Sequence, residues 1–216
     1  MTTSGEHTVV HLLRHGEVFN PGRILYGRLP DYHLSDLGQE MARLAAAFLA
    51  ERDVVAVTSS PLERALETAA PVAALHRVAV GTDARLLEAT NRFEGVDVAG
   101  GKGIWRHPEL ARHLVNPFRP SWGEPYDDVA RRMRGAIDDM RVAADGHEGV
   151  LVSHQLPIWV ARRSLEERRL WHDPRRRECS LASVTSLRYA GDRLVSVSYA
   201  EPAAALLAGA APGAGA

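Results

Sequence analysis

The sequence predicts an α/β fold, a three-layer α/β/α sandwich with a mostly parallel central sheet. Short apolar runs rich in β-branched residues alternate with stretches of helical periodicity, which is the pattern of such folds. Arginine and histidine residues directly follow two of these runs, as expected where a site forms at the carboxyl ends of parallel strands. The 216 residues, 45% of them hydrophobic, suffice for one compact core, so we expect a single domain over residues 1–200.

The first half of the chain begins with a strand, a loop and a helix. Residues 9–13 are short, β-branched and almost continuously apolar, which indicates a buried strand. Ser35 is a candidate N-cap, and an apolar face recurs at helical spacing after it: Leu37, Met41, Leu44, Phe48 and Leu49. A second strand is expected at residues 54–57. The stretch Ser60-Pro61-Leu62-Glu63 then has the form of a capping box, which predicts a helix start with proline in the first turn.

The second half continues the alternation after an irregular segment. Residues 91–126 combine glycines, prolines and tryptophans with weak periodicity, which predicts a lid-like insertion over a site. The elements expected after it are a helix at 127–144, a buried strand starting at Gly149, a helix at 157–171 and a hairpin formed by 183–189 and 193–199. The low-complexity end, residues 201–216, predicts a disordered tail.

Charge and cysteine content restrict the class of protein. The 26 basic and 27 acidic residues give a net charge of -1, which argues against general attraction to nucleic acid or to an anionic membrane. Cys179 is the single cysteine, so an intramolecular disulfide is excluded and a reducing compartment is favoured. No run approaches the ~18 apolar residues of a membrane span, and the start lacks a secretory signal pattern. We therefore expect a cytoplasmic protein that binds neither membrane nor nucleic acid; its oligomeric state stays open, a homodimer included.

An arginine-rich segment at residues 162–177 is the one feature that suggests an anionic macromolecule as partner. Its seven arginines are interleaved with Glu166, Glu167 and Asp173, and Glu178 follows directly. Interleaved charges of both signs are typical of a solvated helix face. The sequence therefore favours a solvated surface over a nucleic-acid site here.

The stretch "LLRHGE" places two polar side chains and a glycine at the end of the first strand. The imidazole of His15 is able to act as a nucleophile, because its reference pKa of ~6.5 leaves much of it neutral. The guanidinium of Arg14 is suited to hold a phosphate through bidentate charged hydrogen bonds. Gly16 lets the backbone approach closely. Taken alone, the tripeptide is better explained as a capped, solvated strand end.

Three further residues fall at predicted strand or helix edges. Arg64 lies in the first turn of the helix after Pro61, where backbone amides already attract anions. His154 ends the strand in "VLVSHQLPI", and Glu88 follows an apolar pair in "RLLEATNRFEG". Each has an ordinary structural explanation by itself. Their joint occurrence at such edges requires a common explanation, because the set comprises two histidines, two arginines and a carboxylate. Phosphate chemistry supplies that explanation.

The segments "LLRHGE", "SSPLERALETA", "LLE" before "FEG", and "VSHQLPI" occur in one order and spacing over roughly residues 9–199. This set resembles the histidine phosphatase superfamily, in the branch related to phosphoglycerate mutase. The resemblance implies a phosphoglycerate mutase-like fold and a small phosphorylated substrate. It also implies phosphoryl transfer without a metal or other cofactor, which agrees with the missing "HExxH" or paired Asp motifs.

The resemblance also implies roles for individual residues. His15 becomes the nucleophile that forms a phosphohistidine, and Glu88 the proton donor to the leaving oxygen, with Glu94 as the second candidate. Arg14, Arg64 and His154 form the phosphate pocket. Asn20 matches a position that often contacts the phosphate. Gln155 occupies the place of a glycine common in relatives, which predicts that a side-chain amide enters the pocket.

The family contains hydrolases and mutases, and one segment distinguishes them. In the mutases an "ERHYG"-like segment carries the acid and is followed by further basic residues, whereas this chain reads "LLEATNRFEGVDVAGGKG" and lacks the histidine-tyrosine pair. The sequence therefore favours a metal-independent phosphomonoester hydrolase of the histidine acid phosphatase type. Phosphoglycerate mutase-type transfer and a catalytically silent phosphate-binding module stay as alternatives.

Overall fold

A computed structural model describes residues 7–91, 94–95 and 123–210. These residues form a six-stranded sheet in the order β3-β2-β4-β1-β5-β6. The strands are β1 (Thr8–Arg14), β2 (Val54–Ser59), β3 (Val80–Thr82), β4 (Glu148–Ser153), β5 (Val184–Ala190) and β6 (Arg193–Ala200). Strands β1 to β4 run parallel, whereas β5 is antiparallel to both of its neighbours. The predicted mostly parallel sheet is confirmed.

Helices cover both faces of this sheet. The α-helices in the described ranges are α1 (Asp36–Phe48), α2 (Glu63–His76), α3 (Tyr126–Ala143) and α4 (Gln155–Leu165). Adjacent residues of β1 point into opposite cores: Leu13 packs with α1 and α2, and Leu12 packs with α3 and α4. This arrangement is the three-layer α/β/α sandwich. Within the described part of the chain, no helix is both long enough and apolar enough to cross a membrane.

Strand β1 lies between β4 and β5 and is buried on both faces, which explains its nearly continuous apolarity. Its one interior polar side chain, His11, is 2% exposed and fully paired. The Nδ1 of His11 lies 2.8 Å from the Ser186 hydroxyl, and Nε2 lies 2.6 Å from a carboxylate oxygen of Glu148. His11 is therefore part of the sheet's packing, and the strand delivers Arg14 at its end.

Two helix starts differ from the prediction. Ser35 caps α1 as expected, since its hydroxyl accepts a hydrogen bond from the Gly38 amide at 2.9 Å. Helix α2 begins at Glu63 after an uncapped Leu62, because the Ser60 hydroxyl bonds instead to His154 at 2.9 Å. The predicted capping box is wrong. Helix α4 starts at Gln155 rather than at residue 157 and ends at Leu165, shortly before Glu167 adopts a left-handed φ of 55°.

The end of the chain differs from the disordered tail that its composition predicts. Residues 204–209 form a 3₁₀-helix, and Ala203 is only 1% exposed. Apolar contacts of Leu206 and Leu207 with the core beside α1 and α2 order this stretch, so the disorder expected from residue 201 does not hold up to residue 210. Residues 211–216 and most of the expected lid at 91–126 lie outside the described residues.

The loop after β1 and the first turn of α1 approach each other through two glycines. A Cβ on Gly16 would lie 2.5 Å from the carbonyl oxygen of Gly38, and one on Gly38 would lie 2.0 Å from that of Glu17. The opposing atoms belong to the backbone, which cannot move aside as a flexible side chain does. This contact holds the loop that carries His15 against α1.

Gly38→Ala is expected to lower the free energy of unfolding by about 1–3 kcal/mol through overpacking, even though alanine is the better helix former by ~1 kcal/mol. Gly135→Ala in α3 is the matched control, because its Cβ would meet only the flexible end of Arg85, at 3.3 Å. We expect the control to be neutral or stabilised by up to ~1 kcal/mol. Urea unfolding measures both variants, and equal losses of stability would contradict the steric explanation.

Candidate active site

The carboxyl ends of the neighbouring parallel strands β1 and β4 bring both predicted histidines together. The His15 amide donates to the Ser153 carbonyl at 3.1 Å, and the Ser60 amide, after β2, donates to Val152 at 2.9 Å. The rings of His15 and His154 have centroids 5.1 Å apart and planes inclined at 60°. Both side chains are fully buried. Segments far apart in sequence thus converge at one edge of the sheet, as predicted.

The protonation of His15 is determined by its own loop. Nδ1 lies 2.8 Å from the carbonyl oxygen of Gly16, which only accepts, so Nδ1 carries the hydrogen and Nε2 keeps its lone pair. Burial lowers the pKa of His15 well below its ordinary value, and the nearby Arg64 and Arg14 guanidiniums lower it further. His15 is therefore a neutral imidazole with an unpaired Nε2, able to attack an electrophile.

His154 faces His15 and is held by a residue that the sequence assigned to a helix cap. Its Nε2 lies 2.9 Å from the Ser60 hydroxyl, and its Nδ1 has no hydrogen-bond partner among the described residues. Burial, followed by the proximity of His15, Arg64 and Arg14, lowers the pKa of His154 well below its ordinary value. The Ser60 hydroxyl both donates and accepts, and in the tautomer in which it donates to Nε2 the proton of His154 lies on Nδ1, available for donation to a ligand.

Two arginines flank the histidines. Arg14 donates from Nη1 to the carbonyl of Cys179 at 2.7 Å, and Arg64 donates from Nη2 to the carbonyl of Gly27 at 2.5 Å. Arg64 lies in the first turn of α2, as predicted, and is fully buried beneath Tyr26, whose ring centroid is 4.8 Å from its guanidinium carbon. Each guanidinium donates from one nitrogen to a backbone carbonyl, and other N–H groups of the same guanidinium remain available to a ligand.

Helix α2 is tied to the nucleophile's loop by one hydroxyl. Thr68 donates to the Arg64 carbonyl at 2.7 Å and accepts from the Gly16 amide at 3.1 Å. The bond fixes the loop that follows His15 relative to the helix that carries Arg64. Thr68 gave no sequence signal, because threonine within a helix ordinarily bonds back to its own backbone in this way.

Glu88 is the carboxylate of the site. It is 5% exposed; Oε1 accepts from the Ala89 amide at 2.7 Å, and Oε2 has no partner among the described residues. Burial raises the pKa of Glu88 above its ordinary value, although the Ala89 amide and the Arg177, Arg64 and Arg14 guanidiniums oppose the rise. A buried carboxyl of this kind favours the protonated form and is able to donate a proton.

The five side chains share one property. Buried atoms on each of them have no hydrogen-bond partner among the described residues: Nε of Arg14, Nε2 of His15, Nε and Nη1 of Arg64, Nδ1 of His154 and Oε2 of Glu88. Leaving a buried donor or acceptor unpaired costs about 1–3 kcal/mol for each group. Most of the unpaired atoms are nitrogen donors on cationic or imidazole groups, so the arrangement suits an anion with several acceptor oxygens.

Asn20 and Glu94 take part in the surrounding loops. The amide of Asn20 donates to the Ile24 carbonyl at 2.8 Å, and its oxygen accepts from the Ile24 amide at 3.0 Å, which shapes the loop after β1. Glu94, the second candidate acid, accepts from the backbone amides of Arg28 at 3.1 Å and Asn91 at 3.3 Å. The structure therefore gives both side chains a role in shaping loops.

Gln155 binds a residue that sequence reasoning placed on a solvated surface. Its Oε1 accepts from Nη1 of Arg177 at 3.2 Å, and its Nε2 donates to the Cys179 carbonyl at 3.3 Å. Burial lowers the pKa of Arg177; the charge of Glu88 opposes this shift, and that of Arg14 adds to it. The interleaved charges around it concealed this position. Arg168 and Arg175 fit the expected solvated surface, since both are exposed and form ion pairs, whereas the side chain of Arg162 is only 13% exposed.

Among residues 7–91, 94–95 and 123–210, no group of three or more His, Cys, Asp or Glu side chains is arranged to hold a metal ion. The groups that converge at this edge of the sheet are three guanidiniums, two imidazoles and one carboxyl. The guanidiniums and imidazoles among them are ligands for an oxyanion.

Comparisons with known proteins agree with this geometry. The model of the histidine phosphatase superfamily (branch 1) matches residues 10–202. The uncharacterized protein Rv0525 of Mycobacterium tuberculosis is 60% identical over 199 residues, which cover 92% of this chain and 98% of the relative. The native structure of the mycobacterial glucosyl-3-phosphoglycerate phosphatase Rv2419c superposes with a TM-score of 0.70 at 26% identity, over 89% of this chain and 97% of that one.

A phosphoglycerate mutase from Bacillus anthracis shares the fold. Its TM-score is 0.68 at 20% identity, over 96% of this chain and 98% of the mutase. The expected phosphoglycerate mutase-like fold is confirmed. Because the family model matches residues 10–202, the chain belongs to the histidine phosphatase superfamily (branch 1).

Proposed function

We propose that the protein is a metal-independent hydrolase of phosphomonoesters, of the histidine acid phosphatase type, that acts through a phosphohistidine on a small phosphorylated metabolite in the cytoplasm. The observation that carries this proposal is that buried nitrogens of Arg14, Arg64 and His154, like Nε2 of His15, have no hydrogen-bond partner among the described residues. A tetrahedral phosphoryl group offers three oxygens to such donors and a phosphorus atom to the nucleophile.

The chemistry follows from the free atoms. The Nε2 lone pair of His15 forms a bond to phosphorus while the bond from phosphorus to the ester oxygen breaks. Glu88 in its protonated form gives its proton to that oxygen, and the alcohol leaves. Water then attacks the phosphohistidine, Glu88 takes a proton from it, and inorganic phosphate is released with His15 restored.

The charge that develops during transfer is met by the protein's own groups. Phosphoryl transfer spreads negative charge over the equatorial oxygens, and positioned donors in a desolvated site stabilise it. Arg14, Arg64 and Nδ1 of His154 are such donors, and each is already anchored by a separate bond to Cys179, Gly27 or Ser60. Because these anchors are bonds within the protein itself, little reorganisation is needed at the moment of reaction.

Hydrolysis is preferred over mutase-type transfer for two reasons. The segment after Glu88 lacks the histidine-tyrosine pair of the mutases. The similar structure at 26% identity is a phosphatase, whereas the mutase at 20% identity shares the fold alone. A silent phosphate-binding module is the weaker alternative, because the nucleophile and the acid are both present with unpaired atoms.

The test is phosphate release by the purified protein in EDTA from a panel of alkyl, sugar and aryl phosphomonoesters. We expect turnover to persist under chelation, with the best esters at kcat/KM of about 10⁴ M⁻¹s⁻¹ or more. Transfer of phosphate to an added phosphorylated acceptor without net release would favour the mutase. Saturable phosphate binding without turnover of any ester would favour the silent module.

A further inference from the structure

The backbone around the proposed acid Glu88 is not held by a helix or a strand of its own. Residues 84–86 form a 3₁₀-helix, and residues 87–90 belong to no helix or strand. The carbonyls of such a segment have to be paired with groups from other parts of the chain. The Ser153 hydroxyl supplies one such bond, to the Leu86 carbonyl at 2.7 Å. The direction of the acid therefore depends on contacts with distant residues.

Two arginine side chains hold further carbonyls of this segment. Arg28 donates from Nε to the carbonyl of Glu88 itself at 2.5 Å, and Arg132 donates from Nη1 to the carbonyl of Arg85. Arg28 lies in the loop between β1 and α1, whereas Arg132 lies in α3. Two separate elements thus fix the backbone that carries the acid.

The carboxylate of Glu124 joins these two arginines. Its Oε1 accepts from Nε of Arg132 at 2.8 Å, and its Oε2 accepts from Nη2 of Arg132 and from Nη2 of Arg28, both at 3.0 Å. The side chains of Glu124 and Arg132 are only 16% and 15% exposed, so solvent screens this bidentate pair little. The Glu124 amide also donates to the Thr90 carbonyl at 3.1 Å. Glu124 therefore orients both guanidiniums and is itself bonded to the acid's segment.

Arg28 also connects the acid to the phosphate pocket. Its neighbour Gly27 supplies the backbone carbonyl that accepts from Arg64 at 2.5 Å. Adjacent residues of one loop thus contact a guanidinium of the pocket and the carbonyl of Glu88. A general acid has to lie within hydrogen-bond reach of the leaving oxygen. A displacement of about 1 Å is enough to cost ~10²-fold in rate.

We propose that Glu124 is a positioning residue, which acts through Arg28 and Arg132 to hold the proton donor Glu88 in place for transfer to the leaving oxygen. The proposal rests on the proposed function for the role of Glu88, whereas the bonds that carry it are independent of any substrate. Loss of the carboxylate charge leaves two guanidiniums that repel each other. Arg28 then loses its fixed orientation on the Glu88 carbonyl.

Glu124→Gln is expected to slow only those reactions that need a proton from the enzyme. In a single turnover, transfer from an alkyl phosphate to His15 should slow by about 10- to 100-fold, and transfer from 4-nitrophenyl phosphate by less than about 3-fold. Binding of both esters should change by less than about 3-fold, because the donors of Arg14 and His154 are untouched. A general loss of structure would slow both transfers alike, so equal losses would overturn the proposal.

A second variant removes the bond to the acid without changing the charge. The ammonium of Arg28→Lys is a single point on a flexible stem and is unable to hold the Glu88 carbonyl and Glu124 in one fixed fork. The Arg28 side chain is 30% exposed, so we expect this variant to fold and to show the same selective loss. An alkyl transfer rate equal to that of wild type in Arg28→Lys would contradict the proposal.

Asp128→Asn is the matched control. It removes a carboxylate that accepts from Arg131 at 2.7 Å near the start of the same helix, α3, at a position where both side chains are largely exposed. Both transfer rates should stay within about 2-fold of wild type. A selective loss of alkyl transfer in this control would show that any charge removed from α3 has the effect, and would overturn the assignment to Glu124.

A double variant tests whether Glu124 acts through Glu88. Added to Glu88→Gln, the Glu124→Gln change should slow alkyl transfer by less than about 2-fold more, because no proton donor is left to displace. Full multiplication of the two separate losses would show that Glu124 acts elsewhere, and would reject the positioning role.

A measurement without turnover separates this proposal from the proposed function. The pKa of Glu88 is measured by NMR on protein with isotope-labelled glutamate, and Glu88→Gln identifies its signal. Burial raises the pKa of Glu88, so a carboxyl released toward water should titrate closer to its ordinary value. We expect this fall in Glu124→Gln and also in Arg28→Lys, which keeps the net charge.

A lower pKa of Glu88 in both variants would uphold the positioning role even in a protein that hydrolyses no ester. A hydrolase in which both variants keep the wild-type pKa and lose alkyl and aryl transfer equally would uphold the proposed function and reject the positioning role.

Discussion

His15→Ala is expected to abolish phosphate release, with kcat/KM falling by at least about 10⁴-fold. The expected loss is large because Nε2 of His15 keeps its lone pair and has no hydrogen-bond partner among the described residues. Its Nδ1 is engaged by the Gly16 carbonyl, and Nε2 of His154 is engaged by Ser60. Loss of the nucleophile therefore removes the covalent route entirely.

The covalent step has a direct readout. After rapid acid-free quenching, wild-type protein mixed with radiolabelled ester should retain label that is stable to alkali and lost in acid, as a phosphoramidate is. His15→Ala should retain none. The matched control is His147→Ala, because His147 is exposed and paired with Asp53 at the opposite end of β4. Label on the His15→Ala protein, or hydrolysis within 10-fold of wild type, would show that another residue is the nucleophile.

Glu88→Gln is expected to produce a loss that depends on the leaving group. For an alkyl phosphate, whose alkoxide is a poor leaving group, kcat should fall by about 10²–10⁴-fold, the usual contribution of a general acid. For 4-nitrophenyl phosphate the leaving phenolate needs no proton, so transfer to His15 should slow by about 10-fold or less. We expect Glu88 to supply this proton because burial raises the pKa of its carboxyl, and because its buried Oε2 has no hydrogen-bond partner among the described residues.

The pH profile supplies a second readout for the same variant. Because the pKa of His15 is lowered below 6.5, activity should rise with pH on a limb below that value as Nε2 becomes neutral. Because the pKa of Glu88 is raised above 4.5, activity should fall on a limb above that value as the proton is lost. Glu88→Gln is expected to keep the acid limb and to lose the alkaline one.

Glu94→Gln distinguishes the two candidate acids. Its carboxylate accepts from the backbone amides of Arg28 and Asn91, which a glutamine oxygen is also able to do. We therefore expect a small loss that is equal for alkyl and aryl esters. A leaving-group dependence in Glu94→Gln, with none in Glu88→Gln, would transfer the role of proton donor to Glu94.

Local pattern predicted the positions of the main groups because they follow strands. Arg14 ends β1, His15 directly follows it, and His154 directly follows β4. A β-branched apolar run followed by polar residues is visible in the sequence without knowledge of the neighbouring strands. That the strands run parallel was expected from their alternation with helices and is confirmed; that β1 and β4 are neighbours is a finding of the structure. The convergence of the two histidines followed from this arrangement.

Two predictions were wrong because tertiary contacts overrode local preference. Ser60 has the sequence of a helix cap, yet its hydroxyl bonds to His154, which lies 94 residues further along the chain. Composition predicted a disordered end, yet Leu206 and Leu207 pack on the core beside α1 and α2. In both cases the partner is remote in sequence, so no local window contains it.

The sequence by itself determined the α/β class, the strand ends that carry Arg14, His15 and His154, and the resemblance to a phosphoryl-transfer family. These features depend on the periodicity of apolar residues and on residues adjacent in sequence, so a few neighbouring positions suffice to predict them. Only the tertiary structure decided which nitrogen of His15 is free, that Ser60 holds His154, and that Arg177 bonds to Gln155. Such properties depend on burial and on hydrogen-bond partners contributed by distant segments, and burial exists only once the chain has folded.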